Sequence, residues 1–305
     1  MENRFTGTVV RATGSWYDVL HDGATLRCRI RGKLRLKGVR STNPVVVGDE
    51  VVCEAEGGDC VIVDIAPRRN YVIRRASNLS KESHIIAANV DQALLMVTLR
   101  SPETPKEFAD RFLVTCEAYK VPATILLSKI DLQDTEAVAE FRAVYERAGY
   151  RVLEVSAKEG RGVEKVRELL AGRTTLVSGN SGVGKSTLIR AIDPSLDIRI
   201  GAVSASSSKG KHTTTFSEMY PLAGGGYLID TPGIKGFGLI DIENDEICRY
   251  FPDLFRYAPR CGYYNCTHTH EPACAVREAL RAGEIGLSRY ESYLKLLDDD
   301  QKYRK

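Results

Sequence analysis

The stretch "GNSGVGKS" at 179–186 constrains this chain more than any other feature. It satisfies G-x-x-x-x-G-K-[ST], which requires a strand before it and a helix after it, and "TTLVS" and "TLIRAI" supply them. The backbone amides of Gly179, Asn180, Ser181, Gly182, Val183 and Gly184 can then surround a phosphate at the positive end of a helix. Lys185 is placed to reach the β- and γ-phosphates, and Ser186, followed by Thr187, to ligate Mg²⁺. Some forty residues downstream, "YLIDTPG" puts Asp230 at a strand end, where it can hold Mg²⁺ through a water, and Gly233 where its amide can sense a γ-phosphate. The intervening "SSSKGKHTTTF" reads as a polar loop that γ-phosphate and Mg²⁺ would order, with Thr214 as the metal ligand.

A base-reading element lies upstream of this loop rather than downstream. In "TILLSKIDL", 124–132, an apolar strand runs into Ser128, Lys129 and Asp131. A carboxylate at Asp131 accepts two hydrogen bonds from the N1 and 2-amino groups of guanine, whereas adenine offers no such pair, and unpaired polar groups penalise the wrong base. Lys129 lays its stem over the base, and Ser156, Ala157 and Lys158 of "SAK" close it from the other side. GTP is therefore favoured over ATP. The order is base, phosphate, metal, where an ordinary small GTPase runs phosphate, switch, base. The domain is predicted to be circularly permuted, with the segment after Asp230 leading straight into a C-terminal domain.

Alternating strands and helices around these motifs predict a doubly wound parallel sheet over 77–245, with every site residue on the carboxyl rim of its strands. Before it, residues 1–66 alternate apolar and polar in five short runs, as in an OB-fold barrel, and 67–76 reads as a linker. Arg27, Arg29, Arg31, Lys33, Arg35 and Lys37 occupy every second position, so a strand would put all six on one face, either for RNA phosphate or as a solvated edge. The net charge of +3 is too mild to decide. After 246 the pattern turns helical around a Cys/His cluster. Cys261, Cys266 and Cys274 with one of His268 or His270 suit structural Zn²⁺. Cys28, Cys53, Cys60, Cys116 and Cys248 read as buried free thiols. With no export signal and no apolar run near the roughly 18 residues of a membrane span, the chain reads as cytoplasmic.

Barrel, permuted P-loop GTPase and cysteine-rich helical tail together resemble the ribosome small-subunit-dependent GTPases, the RsgA family of ribosome biogenesis. "GNSGVGKST", "GKHTTT" and "DTPG" fit its pattern, while Ser128 stands where the family usually has Asn or Thr. The resemblance implies a GTP hydrolase stimulated by the small (30S) subunit during late maturation, with that subunit and its rRNA as partner rather than DNA or a membrane. It implies GTP, Mg²⁺ and one Zn²⁺, selects His268 as the fourth zinc ligand, and suits a monomer. Ile234 occupies the position of the water-orienting glutamine of Ras-like enzymes. His212 is the candidate in its place, and the resemblance favours that catalytic role over an RNA-phosphate contact. The alternative is an rRNA-binding scaffold for which GTP is a structural ligand. A metabolite kinase would leave the guanine motif unexplained.

Overall fold

The computed structural model describes residues 4–31, 44–56, 59–75, 83–196, 218–230 and 242–303. Five strands, β1 (Arg4–Thr13), β2 (Trp16–His21), β3 (Ala24–Ile30), β4 (Glu50–Glu56) and β5 (Asp59–Ile65), follow the order β1-β2-β3-β5-β4. The pairing of β1 with β4 closes them into a barrel, which removes free edges. Val9, Tyr17, Val19, Cys28, Val51, Cys53 and Ile62 fill its interior. The alternation in "RCRI" holds: Arg27 and Arg29 are exposed while Cys28 between them is buried.

The segment expected as a linker contains a strand. β6 (Tyr71–Arg75) pairs with β7 (Ser83–Ala88) as a separate hairpin. Three residues ahead of it, Arg68 reaches back to Asp49 of the barrel with a two-pronged ion pair of 2.6 and 2.7 Å. The reach is local, so a chain expected to cross between domains is instead pinned at once.

The central sheet orders β10 (Arg151–Val155), β9 (Ala123–Ser128), β8 (Gln92–Val97), β11 (Thr174–Gly179), β13 (Tyr227–Asp230) and β12 (Glu218–Pro221). All are parallel except β12, which pairs antiparallel with β13 and meets β1 of the barrel at Arg11↔Glu218. Strand β8 is buried along its whole length because helices cover both faces. Leu95 and Val97 pack with α1 (Lys106–Ala118) and α2 (Thr135–Arg147), and Leu94 and Met96 with α3 (Val163–Leu170) and α4 (Lys185–Ile192). Asp134 starts α2 by accepting from the amides of Glu136 and Ala137.

Strand order also exposes the permutation. The phosphate-loop strand β11 sits mid-sheet, yet three strands to one side of it, β8, β9 and β10, precede it in the chain. Beyond β13, α5 (Pro252–Phe255), α6 (Ala275–Arg281) and α7 (Leu287–Tyr303) form a C-terminal unit against α1. Phe251, Leu254, Val276, Tyr293 and Leu296 make its core. Among the described residues no helix is long and apolar enough to cross a membrane.

Candidate nucleotide and metal sites

The carboxyl ends of β8, β9, β10, β11 and β13 lie on one rim, and the phosphate loop, "SKID" and "SAK" meet there. Gly179 ends β11 so close to β8 that a Cβ on it would stand 2.6 Å from the Met96 carbonyl oxygen. Gly184, at φ 99°, turns the loop into α4. A Cβ there would come within 3.4 Å of Ser128 Oγ and 3.8 Å of Lys129 Cε. Phosphate loop and guanine motif are thus neighbours although some fifty residues of chain separate them. Lys185 Nζ donates to the Gly179 carbonyl at 2.6 Å and the Asn180 carbonyl at 3.4 Å, which holds the ammonium over the loop.

The two halves of the base-reading element are joined directly. Ser156, fully buried just after β10, turns its hydroxyl to the Asp131 carboxylate and, with Lys158 and Arg161 nearby, holds the carboxyl below its ordinary range. An ionised carboxylate offers only acceptors, as guanine's N1–H and 2-amino group need. Ser128 is buried, and Lys129 adopts a left-handed conformation at φ 54°. Its Nζ donates to the Ser101 carbonyl at 2.7 Å. That contact brings in a segment the motif reading missed: the loop after β8. Pro102 lies 3.4 Å from where a Gly182 Cβ would be, and Gln133 Nε2 reaches the Arg100 carbonyl at 3.3 Å. The available signal was positional, since this loop also leaves the carboxyl end of a parallel strand.

In the C-terminal unit, the ligand atoms of Cys261, Cys266, His268 and Cys274 all lie within 4.8 Å of one another. His268 Nδ1 is 3.6 Å from the sulfurs of both Cys261 and Cys274. Burial lowers the pKa of His268, which keeps the imidazole neutral as a metal ligand must be. Its carbonyl accepts from Tyr290 Oη at 2.7 Å and that of Thr267 from Tyr293 Oη at 2.8 Å, so α7 fixes the loop. His270 is exposed and turns to Thr269 instead. Three thiols and one imidazole at this spacing fit tetrahedral zinc.

A model of the RsgA GTPase matches residues 65–240, and one of the RsgA N-terminal domain matches 6–62. The chain belongs to the RsgA GTPase family. A small ribosomal subunit biogenesis GTPase RsgA from Bacteroides fragilis is 52% identical over 305 residues, covering 98% of each chain. Its counterpart from Porphyromonas gingivalis is 51% identical over 310 residues, again 98% of each. The crystal structure of YjeQ from Thermotoga maritima superposes with a TM-score of 0.76 at 34% identity, covering 97% of this chain and 98% of that one. That of YloQ, a circularly permuted GTPase, gives 0.72 at 28%, covering 99% and 96%.

The barrel of this RsgA GTPase presents two arginines of its basic row over one aromatic ring. Arg27 and Arg29 place their guanidinium carbons 4.5 and 5.1 Å from the ring centre of Trp16. Arg31 pairs with Glu54 at 2.7 Å. Lys33, Arg35, Lys37, His212, Thr214, Gly233 and the side chain of Asp230 lie outside the described residues. The Asp230 backbone pairs with Val177, which sets it two residues short of the phosphate loop on the neighbouring strand.

Proposed function

We propose that this GTPase hydrolyses GTP in the biogenesis of the small ribosomal subunit, binding that subunit and being stimulated by it. The convergence of Lys185, Ser128, Asp131 and Ser156 on one rim of a permuted sheet carries the GTP part of the reading. The near-full-length likeness to proteins named small ribosomal subunit biogenesis GTPase carries the partner. In this reading Asp131 and Lys129 hold guanine, the amides of 179–184 with Lys185 hold the phosphates, and Ser186, Thr214 and Asp230 hold the accompanying Mg²⁺. The ion neutralises charge on the β- and γ-phosphates. His212 orients the attacking water, since Ile234 has no polar group to do so. Cys261, Cys266, His268 and Cys274 hold one zinc, and Arg27, Arg29 and Arg31 meet rRNA phosphates. The protein works as a cytoplasmic monomer.

The test is steady-state GTP hydrolysis by the protein alone, with small subunits and with large subunits, repeated with His212→Ala. Stimulation by small subunits alone, lost in the variant while GTP still binds, is the expected result. A rate that no subunit changes would overturn the trigger and leave a scaffold that uses GTP as a structural ligand.

A further inference from the structure

Three of the cysteines expected to be solitary are brought together. Cys28 on β3, Cys53 on β4 and Cys60 on β5 have their sulfurs within 4.8 Å of one another. Cys28 and Cys60 face each other across the parallel β3–β5 pairing, and Cys53 sits diagonally from Cys60, beside the pair Ala55↔Cys60. Cys28 and Cys53 are fully buried, whereas Cys60 is partly exposed and gives access from outside. Apolar packing alone requires small side chains at these positions and does not require three sulfurs aimed at one point.

The donor set selects the ligand. No carboxylate or imidazole joins the three sulfurs among the described residues, so hard, oxygen-seeking ions are disfavoured. Structural zinc takes four ligands and would lack one here. Three sulfurs around a single ion at metal–sulfur distances of about 2.3 Å would stand about 4 Å apart, inside the observed span.

We propose that Cys28, Cys53 and Cys60 form a second metal site, separate from the Cys/His cluster, that takes one soft cation in three-sulfur coordination, the chemistry of Cu(I). The ion joins the three strands at a short pairing, because among the described residues β3 and β5 share the pairs Cys28↔Cys60, Arg29↔Val61 and Ile30↔Ile62. It also fixes the strand that carries Arg27 and Arg29 on either side of Cys28. Occupancy therefore bears on the basic face as well as on barrel stability.

The experiment is an anaerobic titration of the reduced, zinc-loaded full chain with Cu(I) against bicinchoninate, with zinc measured in parallel. One equivalent of Cu(I) should be withheld from the chelator with no zinc released. Cys53→Val and, at the more exposed position, Cys60→Val should each weaken that retention at least tenfold while GTP hydrolysis confirms a folded chain. If one variant fails to fold, the other decides. Copper left entirely with the chelator, copper bound only in exchange for zinc, or retention unchanged in a folded variant would overturn the site.

Discussion

Two buried arginines tie the flanking domains to the GTPase domain, and they do it differently. Arg289 of α7 is 0% exposed and bonds Asp110 of α1 at 2.7 Å and Asp253 of α5 at 2.9 Å. Its guanidinium also lies 4.6 Å from the centre of the Phe251 ring. Arg68 is 9% exposed and serves one carboxylate, Asp49, together with the Pro44 carbonyl at 3.0 Å. Around Arg68 the backbone shares the load: Asn89 Nδ2 donates to the Gly48 carbonyl at 2.9 Å and the Ala88 amide to that of Val47 at 2.9 Å. The C-terminal junction concentrates its buried charge contacts on one side chain, with Arg147 and Lys295 adding exposed ones, and the N-terminal junction spreads them. Concentration makes a junction specific and fragile, because two carboxylates depend on a single cation.

The largest expected effect is accordingly at Arg289. Arg289→Ala should cost about 3–5 kcal/mol, since it strands two buried carboxylates. Thermal unfolding followed by circular dichroism, with limited proteolysis to see whether 242–303 is released, measures it. A midpoint like that of the parent would break the comparison. Replacing Arg289, Asp110 and Asp253 together by Met, Leu and Leu sharpens it: the triple variant should recover to within about 1–2 kcal/mol of the parent, because no charge is left unpaired.

At the N-terminal junction, Arg68→Ala should cost less, about 3 kcal/mol, because Asp49 keeps the Val46 amide at 2.8 Å and Arg68 is nearer water. Equality with Arg289→Ala in the same melts would show that backbone sharing does not matter. Gly48→Ala tests the backbone itself. The residue has φ +88°, and a Cβ would stand 2.0 Å from the Ala88 carbonyl oxygen. About 2 kcal/mol should be lost from left-handed strain alone, with local shifts around Ala88. A neutral result would mean that the hairpin yields freely to the barrel.

These junctions were not legible in the sequence, and the rim was. "GNSGVGKS", "SKID" and "SAK" declare themselves because each packs its chemistry into a few adjacent residues after a strand, and the strands carry them to one edge. Residues 179 positions apart, such as Asp110 and Arg289, leave no local trace of their pairing. The cysteines at 28, 53 and 60 were read as unrelated for the same reason: only the pairing of β3 with β5, itself paired with β4, brings them together. The 67–76 segment looked like a linker because its proline and arginines suggest solvent, but Arg68 is neutralised by Asp49, and Tyr71–Arg75 finds a partner strand only after a connection whose length conceals the hairpin. His268 and His270 were equivalent by composition alone, and the fold separates them by burying one.

The smallest effect expected is at the remaining contact between barrel and sheet, where β1 meets β12. There, among the described residues, one pair, Arg11↔Glu218, joins the strands, and its side chains stand 4.0 Å apart at 50% and 38% exposure. An ion pair so open to water contributes little. Glu218→Ala should shift stability by less than about 0.5 kcal/mol and should leave the barrel attached through Arg68 and Gly48. Strand β12 also pairs with β13, whose end carries Asp230, so in the proposed reading, where Asp230 holds Mg²⁺, this edge is where a change at that ion reaches the barrel. The same variant assayed for subunit-stimulated GTP hydrolysis separates the two roles. Unchanged stability with weakened stimulation would make the β1–β12 edge a route of communication, whereas a large loss of stability would show that it holds the barrel in place.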